Sequence, residues 1–133
     1  MKSYVRGAVA KLESAHALAV ATGAPQAIAR VAEELARGWS RRKSTSRSLY
    51  YAIKATRTAP ARMAAWNTRG KTCELVAAST TAPTKQRRAR ALCRAASTAF
   101  KTAASLTKDP EDKRWLQELA GDAARQAKEP ADG

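Results

Sequence analysis

The stretch TKQRRARALCRAASTAFKTAASL, residues 84–106, decides the fold class of this chain of 133 residues. Its apolar residues recur at steps of three and four, which places them on one face of an α-helix. The residues of this face are Ala89, Leu92, Cys93, Ala96, Phe100 and Ala103. Pro83 and Thr84 suit the start of a helix. The sequence therefore predicts a helix from Thr84 to about Leu106, the longest in the chain.

The basic residues of this predicted helix lie opposite its apolar face. At roughly 100° per residue, Arg90, Arg94 and Lys101 fall within about 60° of Arg87. They form a row of cations spaced one or two turns apart. A row of this kind can follow the phosphates of a nucleic-acid strand, releasing counterions at each contact.

The helical period continues through most of the chain, and no alternating strand pattern of any length occurs. Glycine and proline divide this pattern: Gly23, Gly38 and Gly70 are predicted helix ends, and Pro25 and Pro60 mark new starts. The segment KTCELVAASTT, residues 71–81, fits either a helix or a short strand. The sequence thus predicts an all-α, single-domain bundle of six to seven alanine-rich helices.

The C-terminal part of the chain differs from the rest in charge. Residues 109–133 carry seven acids and four bases, whereas residues 1–108 carry 21 bases and four acids. Asp109 is a strong N-cap candidate, Pro110 suits the first helical position, and Pro130 should end the helix. We therefore expect a basic helical domain over residues 1–108, with an acidic C-terminal helix and tail, residues 109–133, packed on it.

Alanine dominates the composition. The chain has 32 alanines, whereas Leu, Ile, Val and Phe together number 17. Because alanine buries little apolar area, the predicted core is small. Repulsion among the cations, at a net charge of +14, opposes folding further. We expect a marginal fold that a bound polyanion or neighbouring subunits would help to hold in order.

The basic residues are concentrated in the middle of the chain. Residues 37–94 contain 11 arginines and four lysines against a single acid, Glu74. An ordinary solvated helix face interleaves acids with bases, and the planar fork of arginine suits phosphate groups. This pattern predicts a polyanionic partner. Nucleic acid is favoured over a membrane surface, which attracts basic helices with a bulky apolar face. The predicted nucleic-acid-binding residues are Arg41, Arg42, Lys43, Arg47, Lys54, Arg57, Arg87, Arg88, Arg90, Arg94 and Lys101.

Aromatic residues accompany these cations. Tyr50 and Tyr51 are candidates for stacking on bases. The alternative is that Tyr50 packs in the core and Tyr51 covers the surface. Trp39, Trp66 and Trp115 should anchor the core, with contact between subunits as the alternative role.

Catalysis has little support in the sequence. His16, the only histidine, falls on the apolar stripe of the first predicted helix. Cys73 and Cys93 have no activating context and are too few for a disulfide scaffold or a metal cluster, although a single bridge between them is possible. We therefore expect no enzymatic activity, no cofactor and no metal.

No apolar run approaches the roughly 18 residues of a membrane span, so we expect none. Lys11 and Glu13 interrupt the segment where a signal peptide needs an apolar core. These features indicate a protein of the cytoplasm, or of a particle assembled there, and not a secreted one.

Three hypotheses follow for function. The first is a small basic helical protein that binds DNA or RNA through phosphates, with low sequence selectivity. The second is a structural subunit of a virus particle or other nucleoprotein assembly. The third is an inhibitor or adaptor that binds an acidic protein surface. A helix-turn-helix is not favoured because the segment ARGWSRRKST, residues 36–45, exceeds the usual connection of about three or four residues.

Overall fold

The structure is a computed structural model that describes residues 2–128, with side chains from Gly7 onward. The predicted helix end at Pro130 lies outside this range. Between residues 2 and 128 the chain forms six α-helices and no strand, so the all-α prediction is confirmed. The helices are α1 Lys2–Thr22, α2 Pro25–Arg41, α3 Thr45–Thr58, α4 Met63–Ser79, α5 Gln86–Leu106 and α6 Pro110–Lys128. A short 3-10 turn, Pro83–Lys85, precedes α5.

Each helix packs against the next one along the chain, and α2 also contacts α4. Helix α4 therefore lies between an N-terminal group formed by α1, α2 and α3 and a C-terminal pair formed by α5 and α6. The C-terminal connections of α2 and α4 come to the same part of the molecule, where a cleft opens between them.

The core is built from small residues around a few large ones. Phe100 and Leu116 are fully buried and share one cluster with Cys73, which joins α4, α5 and α6. A second cluster consists almost entirely of alanines from α2, α3 and α4. A third places Leu35 and Trp39 of α2 against α1. The predicted apolar face of α5 is buried, apart from Leu92, which is half-buried.

Two predicted helix ends are wrong. Helix α4 continues through Gly70 to Ser79, so the strand alternative for residues 71–81 is also wrong. A Cβ at Gly70 would lie 2.6 Å from Cε1 of Phe100, which shows that this glycine permits close contact between α4 and α5. Helix α2 likewise passes Gly38, where a Cβ would lie 3.4 Å from Cγ2 of Val9.

The predicted boundaries at Gly23, Pro25 and Asp109 are confirmed, whereas the start predicted at Pro60 is wrong because α4 begins at Met63. Gly23 follows α1 with a φ of 71°, a left-handed conformation that glycine adopts at little cost, and Pro25 begins α2. The backbone N–H of Glu111 donates to Oδ1 of Asp109 at 2.9 Å, the hydrogen bond of an N-cap. Helix α5 ends at Leu106 as predicted, but it begins at Gln86 and not at Thr84, which lies in the 3-10 turn. Its 21 residues equal the length of α1, so it is not longer than every other described helix.

Candidate nucleic-acid interface

Three of the four acidic residues before Asp109 have hydrogen-bond or ion-pair partners within the protein. Glu13 of α1 accepts hydrogen bonds from Nε1 of Trp39 at 3.2 Å and from the hydroxyl of Tyr51 at 2.8 Å. Its carboxylate thereby ties α1 to α2 and α3 instead of balancing a surface cation.

Glu33 and Glu34 have arginine partners. The buried carboxylate of Glu33 accepts from Nε of Arg62 at 2.6 Å and from its Nη2 at 3.2 Å. Glu34 pairs with Arg37 one turn away on the exposed face of α2. The remaining acid before Asp109 is half-buried Glu74. Burial raises its pKa, an effect that the Lys71 ammonium partly offsets.

The predicted binding residues therefore remain unneutralised. None of the eleven forms an ion pair with an acid among the described side chains. Nine of the eleven are exposed, and Lys54 and Arg90 are half-buried. The cationic surface of the protein is thus left open to an anion from outside.

Part of this surface is a row along α5, called here the α5 ridge and defined by Arg87, Arg90, Arg94 and Lys101. All but Arg90 are exposed. The opposite face of the helix buries residues such as Phe100. The ridge therefore presents its cations in one direction along the axis, as the helical period predicts.

Arg88 lies apart from the ridge and lines a cleft of about 840 Å³ with Lys43 and Lys85. We call this the basic cleft. It lies between the connection from α2 to α3 and the connection from α4 to α5. Its walls also carry six hydroxyl side chains: Ser40, Thr45, Ser48, Ser79, Thr80 and Thr81.

The prediction from sequence missed Lys85 as a site residue. Lys85 lies near Lys43 because two connections that are far apart in the chain meet in the fold. The spacing of residues in the sequence does not predict that proximity. The signal that could have found it is local: Lys85 follows a helix-starting proline and stands within three residues of Arg88.

The connection between α2 and α3 is itself shorter than predicted. Because α2 extends to Arg41 and α3 begins at Thr45, only residues 42–44 lie between them. The length argument against a helix-turn-helix is therefore wrong. The extra turn of α2 forms because Gly38 stays helical.

A second group of cations surrounds Trp39. The guanidinium carbons of Arg42 and Arg47 lie 4.9 and 4.4 Å from the centre of its ring, within the range of cation–π contact. Trp39 itself is buried. It therefore holds the two arginines in place at the start of α3.

The two tyrosines have opposite environments, and the alternative that put Tyr50 in the core is wrong. Tyr50 is 57% exposed, whereas Tyr51 packs with the alanine cluster of α2 and α3. Burial, with the hydrogen bond to Glu13, raises the pKa of Tyr51 to about 12. Tyr50 lines a shallow pocket with Lys54 and Arg57, which leaves it as the tyrosine accessible to a base.

The other two tryptophans are less buried than Trp39. Trp66 is half-buried and donates from Nε1 to the carbonyl of Pro60 at 2.8 Å. Trp115 is 44% exposed on α6, with the Lys71 ammonium 5.1 Å from its ring centre. Trp115 is therefore the tryptophan with the most surface to offer another molecule.

His16 and Cys73 lie in packed positions inside the protein. His16 is buried edge-on to Tyr51, and no described group bonds its Nε2. Burial lowers the pKa of His16, and the Lys54 ammonium lowers it further. Cys73 is a free, buried thiol, so the alternative of a bridge to Cys93 is not realised. Burial raises the pKa of this thiol.

Comparison of the chain with models of known protein families, with curated proteins and with solved structures finds no match. Among the helices of residues 2–128, none combines the length and apolarity needed to cross a bilayer.

Proposed function

We propose that this protein binds nucleic acid, mainly through phosphate groups and with low sequence selectivity. The observation that supports it best is the exposure of cations that no described acid neutralises, while Glu13, Glu33 and Glu34 are held in contacts within the protein. A surface of this kind attracts a polyanion by displacing its counterions.

The geometry of the α5 ridge favours nucleic acid over a membrane. A membrane-binding helix sets bulky apolar residues beside its cations. Next to the ridge, α5 instead exposes Ala91, Ala95 and Thr98. Tyr50, with Lys54 and Arg57, adds an aromatic ring at which an unpaired base can stack.

The test is binding of fluorescent single- and double-stranded oligonucleotides across a salt series. With about four to six phosphate contacts, log K against log salt should slope near −4 to −5 on duplex, and less steeply on single strands. Replacing Arg87, Arg90 and Arg94 by alanine should reduce the duplex slope by about two to three.

A matched control removes three cations from another face, with Lys113, Arg114 and Arg125 of α6 replaced by alanine. This variant has the same net charge as the ridge variant and should keep most of the slope. Equal losses in the two variants would mean that net charge, not the ridge, carries binding. Absence of binding near physiological salt would overturn the proposal and favour an acidic protein partner.

Low selectivity has its own test, because the short connection between α2 and α3 permits a helix-turn-helix. Selection from a library of random duplexes should enrich no motif. Enrichment that disappears on Arg47→Ala or Tyr50→Ala would show that α3 reads bases and would overturn this part of the proposal.

A second candidate function is the structural subunit of a nucleoprotein assembly. Exposed apolar side chains favour it: Leu18 is 70% exposed, Leu75 56% and Trp115 44%. Sedimentation of nuclease-treated protein separates the two candidates. A monomer supports the first, and a defined oligomer that Trp115→Ala disrupts supports the second.

A further inference from the structure

The basic cleft has more positive charge than a single backbone phosphate can balance. Lys43, Lys85 and Arg88 all line it, and no acid does. A phosphodiester carries one negative charge, whereas a phosphomonoester carries about −1.5 to −2 at neutral pH and offers three acceptor oxygens. The charge of the cleft therefore suits a monoester better than a diester.

The hydroxyls of the cleft add donors for the oxygens of such a group. Three of the six already donate to backbone carbonyls, namely Ser48, Ser79 and Thr80. The hydroxyls of Ser40, Thr45 and Thr81 have no hydrogen bond to any described residue. Three cations and three hydroxyls thus face the same space.

Lys43 occupies a backbone position that favours glycine. Its φ is 61°, the only positive φ of a non-glycine residue within the described chain. Its N–H donates to the carbonyl of Ser40, and the N–H of Ser44 donates to that of Trp39, both at 2.9 Å. This is a Schellman motif with lysine in the left-handed position, where glycine is usual and other residues are disfavoured. Because Lys43 keeps a disfavoured backbone conformation while its side chain lines the cleft, we expect this side chain to have a function there.

We propose that the basic cleft binds the terminal phosphomonoester of a nucleic-acid strand, a proposal that rests on the nucleic-acid binding proposed above. Arg88 lies in the cleft and Arg87, its neighbour on α5, begins the ridge. A strand whose end is held in the cleft can therefore place its next phosphates along the ridge.

The experiment compares one oligonucleotide with a 5′-phosphate, a 3′-phosphate or hydroxyls at both ends. One of the two phosphorylated forms should bind at least about tenfold more tightly than the hydroxyl form, the effect of one charge-assisted hydrogen bond. The double variant Lys85→Ala with Arg88→Ala should lose this preference but still bind the hydroxyl form. Arg94→Ala, on the ridge, should weaken all three forms by the same factor.

Two variants at position 43 separate the side chain from the backbone. Lys43→Gly and Lys43→Ala should both reduce the preference for a terminal phosphate. Lys43→Gly should also raise Tm by a few degrees, because glycine accepts the left-handed backbone, whereas Lys43→Ala should not. A gain in stability with a loss of end recognition would show that the lysine serves the cleft.

The outcomes separate this proposal from the one on which it rests. Equal affinity for all three oligonucleotides would overturn end recognition while leaving nucleic-acid binding intact. If none binds, nucleic-acid binding itself fails. Titration with a 5′-mononucleotide, followed by amide NMR shifts, completes the test. Saturation of the cleft by the mononucleotide as tightly as by the phosphorylated strand would identify a free nucleotide as the ligand and overturn the proposal of a strand end.

Discussion

Replacing Gly70 by alanine tests how closely α4 and α5 pack. The added Cβ would lie 2.6 Å from Cε1 of Phe100 and 2.8 Å from its Cδ1 and Cζ. Favourable carbon–carbon contacts begin near about 3.5 Å, so the ring would have to move by about 1 Å. Phe100 is fully buried in the cluster that joins α4, α5 and α6, and it has no solvent-facing space into which it can move.

The expected loss of stability follows from two opposing effects. Overpacking a core by one methyl group costs about 1–3 kcal/mol, and the fully buried ring of Phe100 puts this site in the upper part of that range, at about 2–3 kcal/mol. Alanine is favoured over glycine inside a helix by about 1 kcal/mol, which offsets part of that cost. We therefore expect Gly70→Ala to lower the free energy of unfolding by about 1–2 kcal/mol, and Tm by roughly 4–8 °C.

Gly121 of α6 supplies the matched control. A Cβ there would meet only Nη1 of Arg125 at 3.7 Å, an ordinary contact with a flexible side chain. Gly121→Ala should therefore stabilise the protein by up to about 1 kcal/mol. Thermal and urea unfolding of both variants, followed by circular dichroism, measure the difference. If Gly70→Ala were as stable as the original protein, the close contact with Phe100 would be refuted.

Two further predictions concern buried charges. Because folding lowers the pKa of His16, the unfolded chain takes up the proton first, and stability should fall as the pH drops from about 7 through 6.5. Thermal unfolding at several pH values should show a smaller fall for His16→Phe, and an unchanged pH profile would contradict this explanation. Replacing Arg62 by leucine leaves the Glu33 carboxylate buried without its partner and should cost about 3 kcal/mol in urea unfolding. The double variant with Glu33→Leu should recover most of that loss, and a single variant as stable as the original would show that the pair contributes nothing.

The helical elements could be predicted because each rests on short-range rules. The three- and four-residue steps around Phe100 place one face of α5 in the core, and that face is buried. Asp109 before Pro110 has the residue types of a helix start, and the N-cap hydrogen bond forms. Such signals act within one or two turns, so the sequence contains all the information that they need.

The roles of two glycines could not be predicted in the same way. Glycine serves both where the backbone must be left-handed and where another segment comes close. Gly23 illustrates the first use, with a φ of 71°, and Gly70 the second, against Phe100. In the sequence, each of the two is a glycine near a predicted helix end. Only the position of a neighbouring helix in the structure distinguishes the two roles. The left-handed turn at Lys43 escaped prediction for the converse reason, since no glycine marks it.

The part of the candidate site that the sequence did not predict depends on residues that are far apart in the chain. The row along α5 follows from the helical period alone, but the basic cleft needs Lys43 and Lys85, which belong to connections on opposite sides of α3 and α4 in the chain. Likewise, a count of charges from the sequence treats every acid as exposed. In the structure, Glu13 and Glu33 accept hydrogen bonds from the half-buried side chains of Tyr51 and Arg62. Composition therefore understates how positive the open surface is.

The small core and the cationic surface have a common physical basis. Alanine-lined helices approach closely, so most of the long arginine and lysine side chains lie at the surface, although Arg62 is half-buried beside Glu33. The acids that do lie between helices stay there because Trp39, Tyr51 and Arg62 give them hydrogen bonds. These hydrogen bonds hold Glu13 and Glu33 between helices, while most of the positive charge lies at the surface. An anion that binds the folded surface more tightly than the unfolded chain would offset the resulting repulsion and so stabilise the folded protein.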